Sequence, residues 1–337
     1  MKNLILLFFS TIFISCGSNY AISNSSIITG ETATKYAKTI TSNNLNKLLY
    51  TFASDEFEGR ETGKTGQKKA AEFLKNFYIK HAITSPYGGS DYFQAIPTEH
   101  LKPGVNPSEN VVAFIKGNEK PNEIIVLSAH YDHLGIKNGK TYYGADDDGS
   151  GTVAILEIAE AFQKAAKEGN GPKRSILFLH VTGEEKGLLG SKYYTNFPIF
   201  PLKNTVVDLN IDMIGRIDTV HTYSPNYIYV IGSDKLSTEL YQLSEKINNK
   251  FTKLSLDYTY NSEDDPNRYY YRSDHYSFAK NNIPIIFYFS GTHKDYHKAS
   301  DTPDKIDYEV LAKRTQLIFY TAWELANKNT RIKVDKR

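Results

Sequence analysis

Residues 124–151, IIVLSAHYDHLGIKNGKTYYGADDDGSG, constrain the fold more than any other stretch of the chain. An apolar, β-branched run, Ile124, Ile125, Val126 and Leu127, leads straight into His130 and Asp132, and a glycine-punctuated loop then delivers Asp146, Asp147 and Asp148 in succession. This is the pattern of a buried strand that empties into residues of metal-ligand type. Three consecutive carboxylates repel one another unless a cation, a set of hydrogen-bond donors or open solvent compensates them. On its own the triplet could equally be a solvated acidic turn that caps the following helix. His130 beside it favours a cation.

The other acids and histidines fall at equivalent places. The apolar run 176–179 leads into His180, Thr182, Gly183, Glu184 and Glu185; the run 206–211 ends at Asp212; the run 285–289 is followed by His293, Asp295 and His297. A single polar residue past a strand is ordinarily a turn or a helix cap. Four strand ends that supply only His, Asp and Glu point to one shared site, because the loops beyond the carboxyl ends of parallel strands converge on one crevice.

Between these strands lie segments with helical spacing. Leu45, Leu48, Leu49 and Phe52 form one, and Ala70, Leu74, Phe77 and Tyr78 form another, so two surface-covering helices are expected before the core. Residues 149–167, 188–194 and 236–247 and the stretch around Leu311, Ile318 and Leu325 supply further helices, with strands at 111–115 and 228–231. The segment 84–107, rich in Pro, Gly and Ser, reads as irregular connection. Apolar strands separated by amphipathic helices imply an α/β fold, a three-layer α/β/α sandwich around a twisted, mostly parallel (mixed) sheet. No repeat or long linker divides it, so residues 31–330 are expected to form a single domain. The net charge of +2 gives no reason to expect a nucleic acid partner.

Six strings, HYDHLG at 130–135, GADDDGSG at 144–151, TGEEKGLLGS at 182–191, NIDMIGR at 210–216, RSDHYSF at 272–278 and DYHKASDTPD at 295–304, occur in the order found in the zinc-dependent aminopeptidases of the M28 peptidase family, which the chain resembles over nearly all of the part after its N-terminal signal. The resemblance implies two Zn²⁺ per chain, one held by His130, Asp147 and Asp212 and the other by Asp147, Glu185 and His297, with Asp147 as the bridge. Nitrogen and carboxylate ligands without sulfur suit zinc, and Co²⁺ or Mn²⁺ would also fit. The resemblance further implies that Asp132 orients the His130 imidazole, that Tyr296 donates to a developing oxyanion, that Arg272 and Asp274 face substrate, and that the peptide between Asp147 and Asp148 is cis. Glu184 is the expected general base, since its neighbour Glu185 is committed to metal and adjacent side chains in extended backbone point different ways. Asp146 and Asp148 are expected to be structural, with Asp148 capping the next helix. His133, His275 and His293 are assigned to supporting or surface positions. The implied activity is hydrolysis of N-terminal residues from peptides; the rivals are a single-zinc glutaminyl cyclase and a catalytically silent binding module on the same fold.

Residues 1–16, MKNLILLFFSTIFISC, pair a basic Lys2 with an apolar stretch too short to span a bilayer and end at Cys16, the only cysteine. They resemble a bacterial lipoprotein signal, departing from it at Phe13. The expectation is export to the periplasm or cell envelope, with membrane attachment only through a lipid at Cys16 and residues 17–30 as a tether.

Overall fold

The structure, a computed structural model, describes residues 25–336. The signal stretch and Cys16 lie outside the described residues. Three helices, rather than two, precede the sheet: α1 (Ser25–Ala37), α2 (Ser42–Phe52) and α3 (Thr65–Lys80). Helix α1 takes in residues 25–30 of the expected tether. Its threonines and Gly30 give it little helical periodicity of its own; Tyr36 stacks on Trp323 at 5.7 Å between ring centroids, and tertiary packing of this kind stabilises the helix.

The chain continues through β1 (Phe93–Ile96), β2 (Ser108–Ile115), β3 (Lys120–His130), a small hairpin of β4 (Gly135–Lys137) and β5 (Lys140–Tyr142), and α4 (Gly151–Lys167). It then runs through β6 (Arg174–Val181), α5 (Leu189–Asn196), β7 (Thr205–Ile211), β8 (Tyr227–Ile231), α6 (Thr238–Phe251), β9 (Ser255–Asp257), α7 (His275–Ala279), β10 (Ile285–Phe289) and α8 (Tyr308–Asn327). Strand β1 falls in the segment expected to be irregular. It is four residues long and lies at the sheet edge, too short for an alternating pattern to stand out among the prolines and glycines around it.

The main sheet has eight strands in the order β1-β2-β6-β3-β7-β10-β8-β9. The run β6-β3-β7-β10 is parallel, and β2 and β8 flank it antiparallel. Successive residues of each central strand serve opposite faces. Ile125, Leu127, Ile176 and Phe178 enter the large core under α3, α4 and α8, whereas Ile124, Val126, Leu177 and Leu179 enter a smaller one under α5 and α7. A strand buried on both faces has to be apolar throughout, which is why these runs show no alternation. Side-chain caps from Thr41, Ser237 and Asp307 start α2, α6 and α8. Because β3, β6, β7 and β10 are parallel, their carboxyl ends share one edge, and His130, the 182–185 loop, Asp212 and the 291–301 loop meet there.

Candidate metal centre

The structure brings together the five residues expected as ligands, with Asp147 in the middle. His130 Nε2 lies 3.2 Å from Asp147 Oδ1 and 3.6 Å from Asp212 Oδ1. On the other side His297 Nε2 lies 3.0 Å from Asp147 Oδ2 and 3.5 Å from Glu185 Oε2. The two oxygens of Asp147 therefore face different partners. Asp147 Oδ2 and Glu185 Oε1 are buried with no hydrogen-bond partner, so the close approach of His297 is not a hydrogen bond. Buried carboxylate oxygens left in this state fit a cation, and the donor set, imidazole and carboxylate without sulfur, fits zinc. In the protein alone, burial would raise the Asp147 carboxyl, yet His130 and His297 hold it well below the usual carboxylate range. Burial works against protonation of His297, but Asp147 and Glu185 raise it to about 10. The histidines thus supply the positive charge that divalent cations would supply on binding.

The acidic loop is held by backbone donors rather than by solvent. The Asp146 and Asp147 amides donate to Asp301 Oδ2 at 3.0 and 3.2 Å, and Gly215 N donates to Asp146 Oδ1 at 2.6 Å. Asp148 Oδ1 accepts from Gly151 N at the start of α4 and from Met213 N, at 2.9 and 3.1 Å. Asp146 and Asp148 therefore anchor the loop. Asp148 also approaches His130 and Asp212 closely enough to form a candidate metal group with them. The peptide between Asp147 and Asp148 is cis.

Asp132 is placed differently from expectation. His130 Nδ1 lies 3.0 Å from the Asp132 backbone carbonyl, whereas the Asp132 carboxylate is 3.8 Å away. The carboxylate instead accepts from Thr62 Oγ1 at 2.6 Å and from the Glu184 amide at 3.2 Å, so it ties the backbone of the expected base to the ligand-bearing strand. Thr62 belongs to a segment between α2 and α3 that the sequence reading passed over. In that segment Arg60, fully buried, donates to the carbonyls of Tyr131, Phe52, Tyr143 and Gly144 at 2.7–3.2 Å. It grips the chain just after His130 and just before the acidic triplet. The string EGRETG, with its glycines, was the available signal, but nothing local to it names its partner.

A crevice opens beside the ligands, walled by Glu184, Met213, Tyr269, Arg272, Phe287, Phe289, Thr292 and Tyr296. Tyr296 stacks on His297 at 3.9 Å between centroids. Arg272 is in the wall as expected, but Asp274 is not. It is wholly buried with both carboxylate oxygens unpaired, and burial pushes it up to about 7. The tyrosine run is split: Tyr269 lines the crevice, and Tyr271 is exposed. Contrary to a surface placement, His133 and His275 are fully buried and the His293 side chain nearly so. His275 stacks on Phe287, His293 Nε2 lies 3.2 Å from Asp146 Oδ2, and His133 approaches Glu185.

The sequence profile of peptidase family M28 matches residues 110–322. The chain belongs to peptidase family M28. A probable leucine aminopeptidase of Trichophyton verrucosum is 32% identical over 224 residues, covering 64% of this chain and 57% of that protein. A vacuolar membrane protease of Verticillium alfalfae is 44% identical over 85 residues, covering 25% of this chain and 8% of that protein. The chain thus spans less than two thirds of the length of these relatives. Among solved structures, the Legionella pneumophila LapA aminopeptidase superposes with a TM-score of 0.69 over 98% of this chain and 81% of that one, at 23% identity. This last likeness bears on the fold, a mixed α/β sheet with helices on both sides. Arg60 and Thr62, which brace the site, precede the matched M28 span. Among the described residues no helix is long and apolar enough to cross a membrane.

Proposed function

We propose that this M28 peptidase is an aminopeptidase that uses two zinc ions to remove N-terminal residues from peptides. The observation that carries the reading is the division of Asp147, with Oδ1 toward His130 and Asp212 and unpaired Oδ2 toward His297 and Glu185. When bound, two such cations polarise a scissile carbonyl and make water a better nucleophile at neutral pH. Glu184 takes a proton from the attacking water on its carboxylate and returns it to the leaving amine. Its backbone is held for this by Asp132 Oδ1. The hydroxyl of Tyr296 donates to the oxyanion that develops at the carbonyl. Met213, Tyr269, Phe287 and Phe289 offer an apolar wall to the side chain of the N-terminal residue.

Metal analysis of the purified full chain, combined with a panel of aminoacyl reporter substrates, tests this directly. About two zinc ions per chain and release of apolar N-terminal residues are expected. One ion per chain with cyclisation of N-terminal glutamine, or metal without any peptidase activity, would refute it. Export and acylation at Cys16 are part of the proposal. The wild type should partition with membranes and Cys16→Ala should not; membrane-free wild type would remove the anchor without affecting the enzymology.

A further inference from the structure

We propose that His133 is a fourth protein ligand of the second cation, alongside Asp147, Glu185 and His297; this rests on the two-cation reading above. The His133 ring is fully buried, and neither of its nitrogens has a hydrogen-bond partner among the described residues. Its Nδ1 lies 2.9 Å from Glu185 Oε1 and 3.8 Å from Asp147 Oδ2. Both of these oxygens are themselves unpartnered, so the shorter contact has hydrogen-bond length without hydrogen-bond direction. Two ligands of one ion behave in this way. With metal–ligand distances of about 2.0–2.2 Å, their donor atoms sit roughly 3–3.5 Å apart while their lone pairs converge on the ion and not on each other. His297 Nε2 shows the same signature toward Asp147 Oδ2, at 3.0 Å. His133, Asp147 and Glu185 bring one donor atom each within 4.8 Å of one another, as a cation site requires.

The His133 and His297 rings are 6.0 Å apart between centroids and inclined at 66°. An imidazole–ion–imidazole arrangement with bonds of about 2.0–2.1 Å separates ring centroids by about 5–6 Å, so both rings can reach one ion. The His133 ring is also wedged in place. Its amide donates to Arg60 O at 3.0 Å, and a Cβ at Gly144, whose φ is +52°, would lie 2.4 Å from His133 Cγ. Only glycine leaves room for the imidazole there. Four protein side chains would then be available to the second cation, one more than the three expected for the first, which favours its retention.

The test uses the full-length holoprotein, dialysed against a graded series of zinc buffers with the bound metal counted, together with the absorption spectrum after Co²⁺ replacement. His133→Ala removes the ring. His133→Asn places an amide nitrogen near the position of Nδ1, able to donate to Glu185 but not to bind zinc as imidazole does. The wild type should hold one ion much more tightly than the other, and both variants should lose that tight ion by a factor beyond the roughly 10–100-fold that loss of an orienting partner costs. Their Co²⁺ spectra should change as a nitrogen ligand is lost. Circular dichroism of the metal-free proteins establishes that the variants fold, and Asn, the smaller perturbation, carries the test if Ala does not. If Asn restores wild-type retention, His133 only orients Glu185 and the proposal is overturned; unchanged retention in both variants overturns it as well. A wild type that binds no zinc would instead defeat the two-cation reading, a result distinguishable from either.

Discussion

Glu184 and Glu185 are neighbours in the chain, but they stand in different surroundings. Burial and the Asp147 carboxylate work to raise Glu185, but the facing His133 and His297 bring it down to about 2. Glu184 is pushed well above the usual carboxylate range, first by burial and then, against the pull of His130, by Asp274, Asp212 and Glu185. Substitution should separate them. Glu185→Ala is expected to lose metal and activity together. Glu184→Gln should keep its metal content while turnover falls by about 10² to 10⁴, the loss typical of an absent general base. Loss of metal from Glu184→Gln, or full activity in it, would show that the roles are wrongly assigned. The raised pKa also sets a sign. A base has to be deprotonated, so kcat/KM should fall as the pH drops through the Glu184 titration. Asp274→Asn removes a negative neighbour and lowers the Glu184 pKa, which should move the acidic limb of the profile to lower pH. A limb that stays in place or moves upward would count against this account.

Helix α4 carries another perturbed carboxylate, one outside the candidate metal groups. Glu157 is buried where α4 meets the start of α2, and burial, with Glu160 nearby, raises it to about 7, offset only partly by Asn44, whose Nδ2 donates at 3.3 Å. Between the unfolded value near 4.5 and the folded value near 7, the unfolded chain has released this proton while the folded one retains it. The folded state then binds more protons, so this group's contribution to stability declines as the pH rises across that window and levels off above it. Glu157→Gln should remove the decline. The variant should match the wild type in thermal melts at pH 4 and exceed it at pH 8, by up to about 3 kcal/mol; equal melting temperatures at both pH values would contradict the assignment. The link between α2 and α3 contributes differently, through one side chain. Arg60→Met strands backbone carbonyls on both sides of the acidic loop and is expected to cost at least about 2 kcal/mol in denaturant unfolding, as removal of a buried donor does. A change within about 0.5 kcal/mol, typical of an exposed site, would mean that the loop does not depend on it.

Across the fold, the cost of gathering Asp147, Glu185, Asp212, Glu184 and Asp274 at one sheet edge has to be offset. In the protein alone, His130 and His297 do part of this. Ions that bind the native state and not the unfolded chain add stability by mass action, about 2.7 kcal/mol at a free concentration one hundred times the Kd. Chelation should therefore lower Tm, and added Zn²⁺ should restore it. A Tm unaffected by chelator that demonstrably strips the metal would argue that the cluster is neutralised without ions.

Local pattern was enough for the strands, since a run buried on both faces is apolar at every position, and enough for His130, Glu185, Asp212 and His297, since each lies just past such a run. The amphipathic spacing of α2, α3 and α4 was legible for the same reason, whereas α1 and β1 were not, because one leans on Trp323 and the other on β2 for what its own sequence lacks. His133 was assigned only a supporting or surface position, and Arg60 and Thr62 escaped notice altogether. Their function depends on a segment folding back some seventy residues onto the loop it braces, and no periodicity records which carbonyl a buried guanidinium will meet. Asp132 shows the same division at a single position. Its spacing from His130 marked it as a partner of that imidazole, but the register of the strand end turned its carbonyl toward the ring and left its carboxylate to hold Glu184. Chemistry that lies along one strand can be read from order and spacing, whereas chemistry between distant segments is set by packing.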